Sequence, residues 1–236
     1  YNWWKNIDKY ILILILGMFF LGAFFSLAST SLIASDKLNT NSYYFFFKHL
    51  VFIFMAIFIL IFFSFLNQDI LIKISIILFF FSFLMLVLVP IMGIEVKGSK
   101  RWLDLPLLPR FQPVEILKPF FVVIISFILS LNTRKLHLKY FFTILVLIPV
   151  LLFLISQPDI GQSLLMTLVW LALIFVSGVN ILLFFSMFIT AGLIISYLVI
   201  FVSKFEYIKI RLLNFLDSTS GNNYQAEKAS DAIING

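Results

Sequence analysis

Residues 98–104 read Gly98-Ser99-Lys100-Arg101-Trp102-Leu103-Asp104, and residues 111–119 read Phe111-Gln112-Pro113-Val114-Glu115-Ile116-Leu117-Lys118-Pro119. Almost everything on either side is a long apolar run. At this point the chain leaves the apolar phase, sets down charges and an indole, and re-enters with a carboxylate and an ammonium three residues apart. On a helix Glu115 and Lys118 share a face. Pro113 suits the first helical position, where a missing N–H costs nothing. Glu115 then falls in the first turn, where the helix dipole favours a negative charge. Pro119 cannot donate to the carbonyl of Glu115. Charges held this close to hydrocarbon are expensive and mark a functional site by default. The plainer alternative is a pair that neutralises itself at a membrane boundary.

The flanking runs decide the class. The chain has 236 residues, 62% hydrophobic and 12% charged, and a mean hydropathy of +1.11. Soluble domains carry about 25% charged residues. The composition excludes an ordinary soluble domain and predicts an all-α, polytopic membrane bundle. Seven spans are expected: 11–33, 50–66, 70–92, 113–131, 140–156, 164–177 and 181–202, each near the ~20 residues that cross a bilayer. They make one transmembrane bundle over residues 1–203, followed by a polar segment, 204–236. Trp3, Trp4, Lys5 and Lys9 suit a membrane interface. Gly22, Ser26 and Thr30 recur every four residues as a small-residue packing face. His49, at a helix mouth, reads as solvated or capping. Pro149 should kink the fifth span.

The net charge of +6 suits anionic lipid and does not point to nucleic acid. The absence of cysteine excludes disulfides and thiolate metal sites. Phe is abundant, with 31 residues, but Phe, Ile, Leu and Val interchange on lipid-facing positions. The distribution of Lys and Arg leaves orientation open. The two long charged segments pull the N-terminus outside, and setting them aside puts it inside.

A second polar break, Gln157-Pro158-Asp159-Ile160-Gly161-Gln162-Ser163, separates the fifth and sixth apolar runs. Asp159 suits either an N-cap for the sixth span or a carboxylate lining a cavity. Gly161 would then be a close-approach position. Asp104, Asp217 and Asp231 lie in polar segments where a solvated carboxylate is expected.

Four stretches in order are Gly98–Leu103, Phe111–Glu115, Gln157–Gly161, and Tyr224-Gln225 with Ala232-Ile233. They resemble the signatures of the SEDS family, the membrane glycosyltransferases of shape, elongation and division that include RodA and FtsW. Trp3-Trp4, Glu115–Pro119 and Tyr224–Ser230 bring the chain closer to the division branch, FtsW. Val114 departs from the pattern, where the family more often has Ser. The resemblance implies ten spans, a cytoplasmic N-terminus and residence in the bacterial inner membrane at the division septum. It also implies a catalytic aspartate in a large extracytoplasmic loop downstream of Gly236, so that 204–236 would be the start of that loop. The chain, which begins without Met, then reads as a piece of a longer protein.

The activity the resemblance implies is polymerisation of lipid II, a disaccharide on polyprenyl diphosphate, into glycan during septal cell-wall synthesis. Such a site combines cations with a greasy groove. Arg101 and Lys100 suit the diphosphate, with Trp102 anchoring at headgroup depth. Gln112, Glu115, Lys118 and Asp159 would line the cavity, with Gly161, Tyr224 and Gln225 as further candidates. No ligand cluster identifies a cofactor site, while a divalent cation, magnesium or manganese, would suit the diphosphate leaving group. Expected partners are lipid II, membrane lipid, a class B penicillin-binding transpeptidase and other divisome proteins. Two rival readings use the same residues: a lipid II flippase, and a non-catalytic division scaffold.

Overall fold

The structure, a computed structural model, describes residues 3–30, 43–96, 99–105, 109–131, 135–206, 209–210, 230–231 and 233–234. The chain divides into two compact units, Tyr1–Leu71 and Ile72–Gly236.

In the first unit a single turn, α1 (Trp3–Asn6), precedes the long helices α2 (Lys9–Thr30) and α3 (Tyr44–Ser64). Asp8 starts α2. Its Oδ1 accepts the N–H groups of Tyr10 at 2.9 Å and Ile11 at 3.2 Å, two donors that have no partner within the helix. Trp3 donates its indole N–H to Ser64 Oγ at 3.1 Å and stacks on Phe65 at 4.8 Å, so the head of α1 meets the end of α3. Helix α3 packs on α2, and it comes close at Gly22, where a Cβ would lie 3.5 Å from His49 Nε2. The His49 ring is therefore half-buried against a neighbouring helix rather than solvated at a helix mouth.

Helix α4 (Gln68–Met92) lies in the second unit from Ile72 onward and is followed by a small antiparallel hairpin, β1 (Ile94–Val96) and β2 (Ser99–Trp102). Four helices complete it: α5 (Pro113–Ser130), α6 (Leu136–Ser156), α7 (Ile160–Val176) and α8 (Ile181–Phe201), closed by a 3₁₀ turn, Ser203–Phe205. Gly93 is required where α4 gives way to β1. Its N–H bonds Val89 O at 2.8 Å, and a Cβ there would lie 2.3 Å from that same oxygen. Helices α5, α6 and α7 each pack on the other two, and α8 packs on α7. The core is built from Phe79 and Leu86 of α4, Leu117, Phe121 and Ile125 of α5, Val150 and Leu154 of α6, and Met166, Trp170 and Ile174 of α7. Between helices in lipid this packing holds through close contact rather than escape from water.

Six of these helices are long and apolar enough to cross a membrane, and α7, with 17 residues, is shorter. At 1.5 Å per residue α7 spans about 25 Å, less than the ~30 Å hydrocarbon thickness. It starts at Ile160 rather than Leu164 because its first turn belongs to the polar break. The chain is thus a multi-pass helical membrane protein, with one departure from the expected all-α fold in the β hairpin. The first span is described only to Thr30. Of the expected loop 204–236, only residues 204–206, 209–210, 230–231 and 233–234 are described.

Candidate functional site

The two polar breaks converge. Leu103 and Phe111 form a β-bridge, each N–H bonding the other's carbonyl at 3.0 and 3.2 Å. This bridge closes the loop between them, in which Arg110 and Asp104 make an exposed 2.9 Å ion pair. Closing the loop brings Arg101, just before it, alongside Gln112, just after it. Both then reach one acceptor at the head of α7, Asp159.

Asp159 is almost fully buried, with its side chain 7% exposed. Its Oδ1 lies 3.5 Å from Arg101 Nη1 and accepts the Gln162 N–H at 3.4 Å. Its Oδ2 accepts Gln112 Nε2 at 2.8 Å. Of the two readings of Asp159, the cap on α7 is observed, and the carboxylate is also the anionic centre of a buried polar cluster; it is not among the residues that line the apolar cavity described below. A carboxylate at a helix N-terminus is favoured by the dipole, and the guanidinium offsets the rest of its desolvation. Gln112 occupies the N-cap position of α5 but makes no cap bond with its side chain, because its amide is committed to Asp159.

Strand geometry separates Lys100 from Arg101. Successive side chains on β2 point to opposite faces. Lys100 and Trp102 are exposed, and Arg101 turns inward. Its guanidinium is engaged by the chain itself: Nε donates to Gln157 O at 3.3 Å, Nη2 to Pro158 O, and Nη1 faces Asp159. The residue expected to face a phosphate thus clasps the hairpin to the polar break, and its neighbour Lys100 is exposed.

One turn into α5, Lys118 Nζ lies 2.6 Å from Glu115 Oε2, and Gln162 Nε2 of α7 donates to Glu115 Oε1 at 2.7 Å. Glu115 is half exposed, unlike Asp159. Gly161 is exposed. A Cβ on it would meet nothing nearer than Asp159 Oδ1 at 4.0 Å, so packing within the chain does not demand glycine there. Tyr224, Gln225 and Asp217 lie outside the described residues. Among the described residues no cluster of three or more His, Cys, Asp or Glu could hold a metal ion. Glu115 and Asp159 each already face a cation.

Two residues that the sequence did not single out prove structural to the site. Pro90 lies inside α4 and cannot donate to Leu86 O, one turn back. Gln157, itself buried, supplies that bond from α6's end, with Nε2 to Leu86 O at 3.1 Å. Gln162 is the second. A proline four residues after a carbonyl destined for the core, and a Gln three residues after a capping Asp, were the signals available.

Beside the cluster lies an apolar cavity of about 360 Å³ between α6, α7 and α8, lined by Leu147, Ile160, Ser163, Trp170, Met187 and Ile195 among others. Its volume falls at the small end of ligand pockets. Ile160 and Ser163 belong to the same turn as Asp159 and Gln162, so the polar cluster and the cavity are neighbouring faces of one helix start.

Apolar helices with a charged cluster where loops meet helix heads define a polytopic membrane protein with a polar site at the edge of its bundle. Residues 8–236 match the FtsW/RodA/SpoVE family of cell cycle proteins, and the chain belongs to that family. It is similar to the probable peptidoglycan glycosyltransferase FtsW of Aliivibrio salmonicida, 27% identical over 235 residues, covering 97% of this chain and 58% of that protein. The protein of the same name from Buchnera aphidicola subsp. Acyrthosiphon pisum is 31% identical over 237 residues, again 97% and 58%. A chain from a peptidoglycan synthase complex superposes with a TM-score of 0.73 at 23% identity, over 97% of this chain and 65% of that one. The rod shape determining protein RodA of Thermus thermophilus gives 0.64 at 23% identity, over 80% and 60%. These two likenesses establish the fold. The chain spans about three-fifths of the length of its FtsW relatives.

Proposed function

We propose that this chain is part of a septal peptidoglycan glycosyltransferase that polymerises lipid II at the inner membrane, working beside a class B penicillin-binding transpeptidase. The observation that carries the reading is the convergence of both polar breaks on Asp159, next to an apolar cavity, in a family whose relatives carry that name. A polyprenyl diphosphate sugar needs both surroundings at once: fixed charges for its head and a greasy path for its tail. In the reaction, an acceptor sugar hydroxyl attacks the anomeric carbon of the donor. The new C–O bond forms as the bond to diphosphate breaks, polyprenyl diphosphate leaves, and the hydroxyl proton passes to a base.

The three carboxylates of the two polar breaks are already engaged. Asp159 is capped and paired, Glu115 is held by Lys118 and Gln162, and Asp104 pairs with Arg110. A catalytic aspartate of the kind the family resemblance implies would take that role. In this reading the Arg101–Asp159 clasp and the Glu115–Lys118 pair shape the floor of the site, while Lys100 and Trp102 meet the headgroup region. The N-terminus is cytoplasmic.

The test is to supply labelled lipid II to the full-length protein with its transpeptidase partner in vesicles. Glycan chains resolved on a gel support polymerisation. Lipid II that crosses the bilayer but stays monomeric moves the function to a flippase. Neither outcome, with division intact in a strain carrying the Arg101→Ala variant, leaves a scaffold.

A further inference from the structure

We propose that Gln162 is a positioning residue for Glu115, holding its carboxylate in the one orientation in which the other oxygen takes Lys118. The proposal rests on the polymerase reading for its consequence, and on geometry for its existence. An i,i+3 ion pair with a half-exposed carboxylate is weak and leaves the carboxylate free to swing. Here a second helix removes that freedom. Lys118 Nζ takes Oε2 at 2.6 Å from within α5, and Gln162 Nε2 takes Oε1 at 2.7 Å from α7.

The local sequence explains why Gln162 is free to reach across. Asp159-x-x-Gln162 has the pattern of a capping box, in which the glutamine side chain would turn back to accept the N-cap N–H. In this chain the Asp159 N–H already donates to Leu154 O at 2.9 Å. The backbone half of the motif survives, with the Gln162 N–H bonding Asp159 Oδ1, but the side chain is released toward Glu115. A carboxylate only accepts, so the amide must present Nε2 to it. Gln162 Oε1 is then left buried with no hydrogen-bond partner. A buried orphan acceptor is disfavoured, and here the other end of the same amide accounts for it: turning the amide over would set its oxygen against the Glu115 carboxylate.

A simple staple between α5 and α7 would show the same bond, so the test separates stapling from orienting. In the full-length protein with its partner, Gln162→Met keeps length and removes the donor. The double exchange Glu115→Gln with Gln162→Glu keeps an interhelix bond and moves the charge. The expected result is a kcat for lipid II polymerisation lowered roughly tenfold in Gln162→Met with KM little changed. The double exchange should regain part of the stability that Gln162→Met loses, through the restored interhelix bond, while kcat stays low. Wild-type kcat in Gln162→Met, or recovery of kcat by the exchange, would overturn the proposal and leave a staple. If the wild-type protein makes no glycan, the polymerase reading falls by itself, and a thermal-unfolding cycle of Gln162→Met with Glu115→Met decides the contact. Coupled effects uphold it and additive effects overturn it.

Discussion

Gln112 and Asp159, 47 residues apart, are joined by a 2.8 Å hydrogen bond from the α5 side to the α7 side. One turn further along both helices the same 47-residue spacing recurs between Glu115 and Gln162, with the donor now on α7. The two helix heads therefore lie in parallel register, cross-linked by two amide–carboxylate bonds of opposite sense. Arg101 and Lys118 each add a cation to one of the carboxylates. The polar site is a two-rung ladder rather than a scatter of loop charges.

From that ladder Asp159→Asn and Asp159→Ala are expected to differ. Asparagine still caps α7 but leaves the part-buried Arg101 without its anion, a loss of about 2 kcal/mol. Alanine loses the cap as well, costing about 1 kcal/mol more. Thermal unfolding in detergent checks both. Wild-type stability in Asp159→Asn would mean that the clasp contributes nothing.

The Pro90–Gln157 relationship gives a suppressor test. Gln157→Leu removes the donor that satisfies Leu86 O in the core and should cost about 1–3 kcal/mol. Pro90→Ala returns an intrahelical N–H to that carbonyl, so Gln157→Leu should be milder in the Pro90→Ala background. The unfolding midpoints of the four proteins of this cycle measure the coupling. An unchanged penalty would show that the carbonyl did not need Gln157.

Lys100 and Arg101 are neighbours on opposite faces of β2, which separates their substitutions. Lys100→Ala should leave stability within about 0.5 kcal/mol, as exposed positions do. Arg101→Ala should cost about 2–4 kcal/mol by leaving Asp159 uncompensated. Binding of anionic-lipid vesicles should respond to Lys100→Ala, because that ammonium is on the open face. Equal destabilisation by both changes would contradict the strand alternation.

Six of the spans were legible because each is an apolar run of membrane length, and Pro113 marked the start of α5 by the chemistry of its missing N–H. The break at Gln157–Ser163 was legible as a break, but its residues' partners were not. Asp159 meets Arg101 and Gln112 only after the Leu103–Phe111 bridge has closed the loop, a long-range event with no local signature. The hairpin escaped notice because strands of three and four residues carry too little alternation to stand out from a polar loop. Arg101 was read by residue type as a phosphate ligand. Its neighbours along the strand, one exposed on either side, show that it faces the other way.

The most direct measurement of the central claim is the rate at which the full-length protein, paired with its transpeptidase, extends labelled lipid II when Glu115 is replaced by Gln. The change keeps size, removes the charge, and leaves one acceptor oxygen where Lys118 and Gln162 each donate to an oxygen of their own. The account predicts a wild-type glycan ladder and a Glu115→Gln rate at least about tenfold lower. A Glu115→Gln ladder equal to the wild type would contradict it.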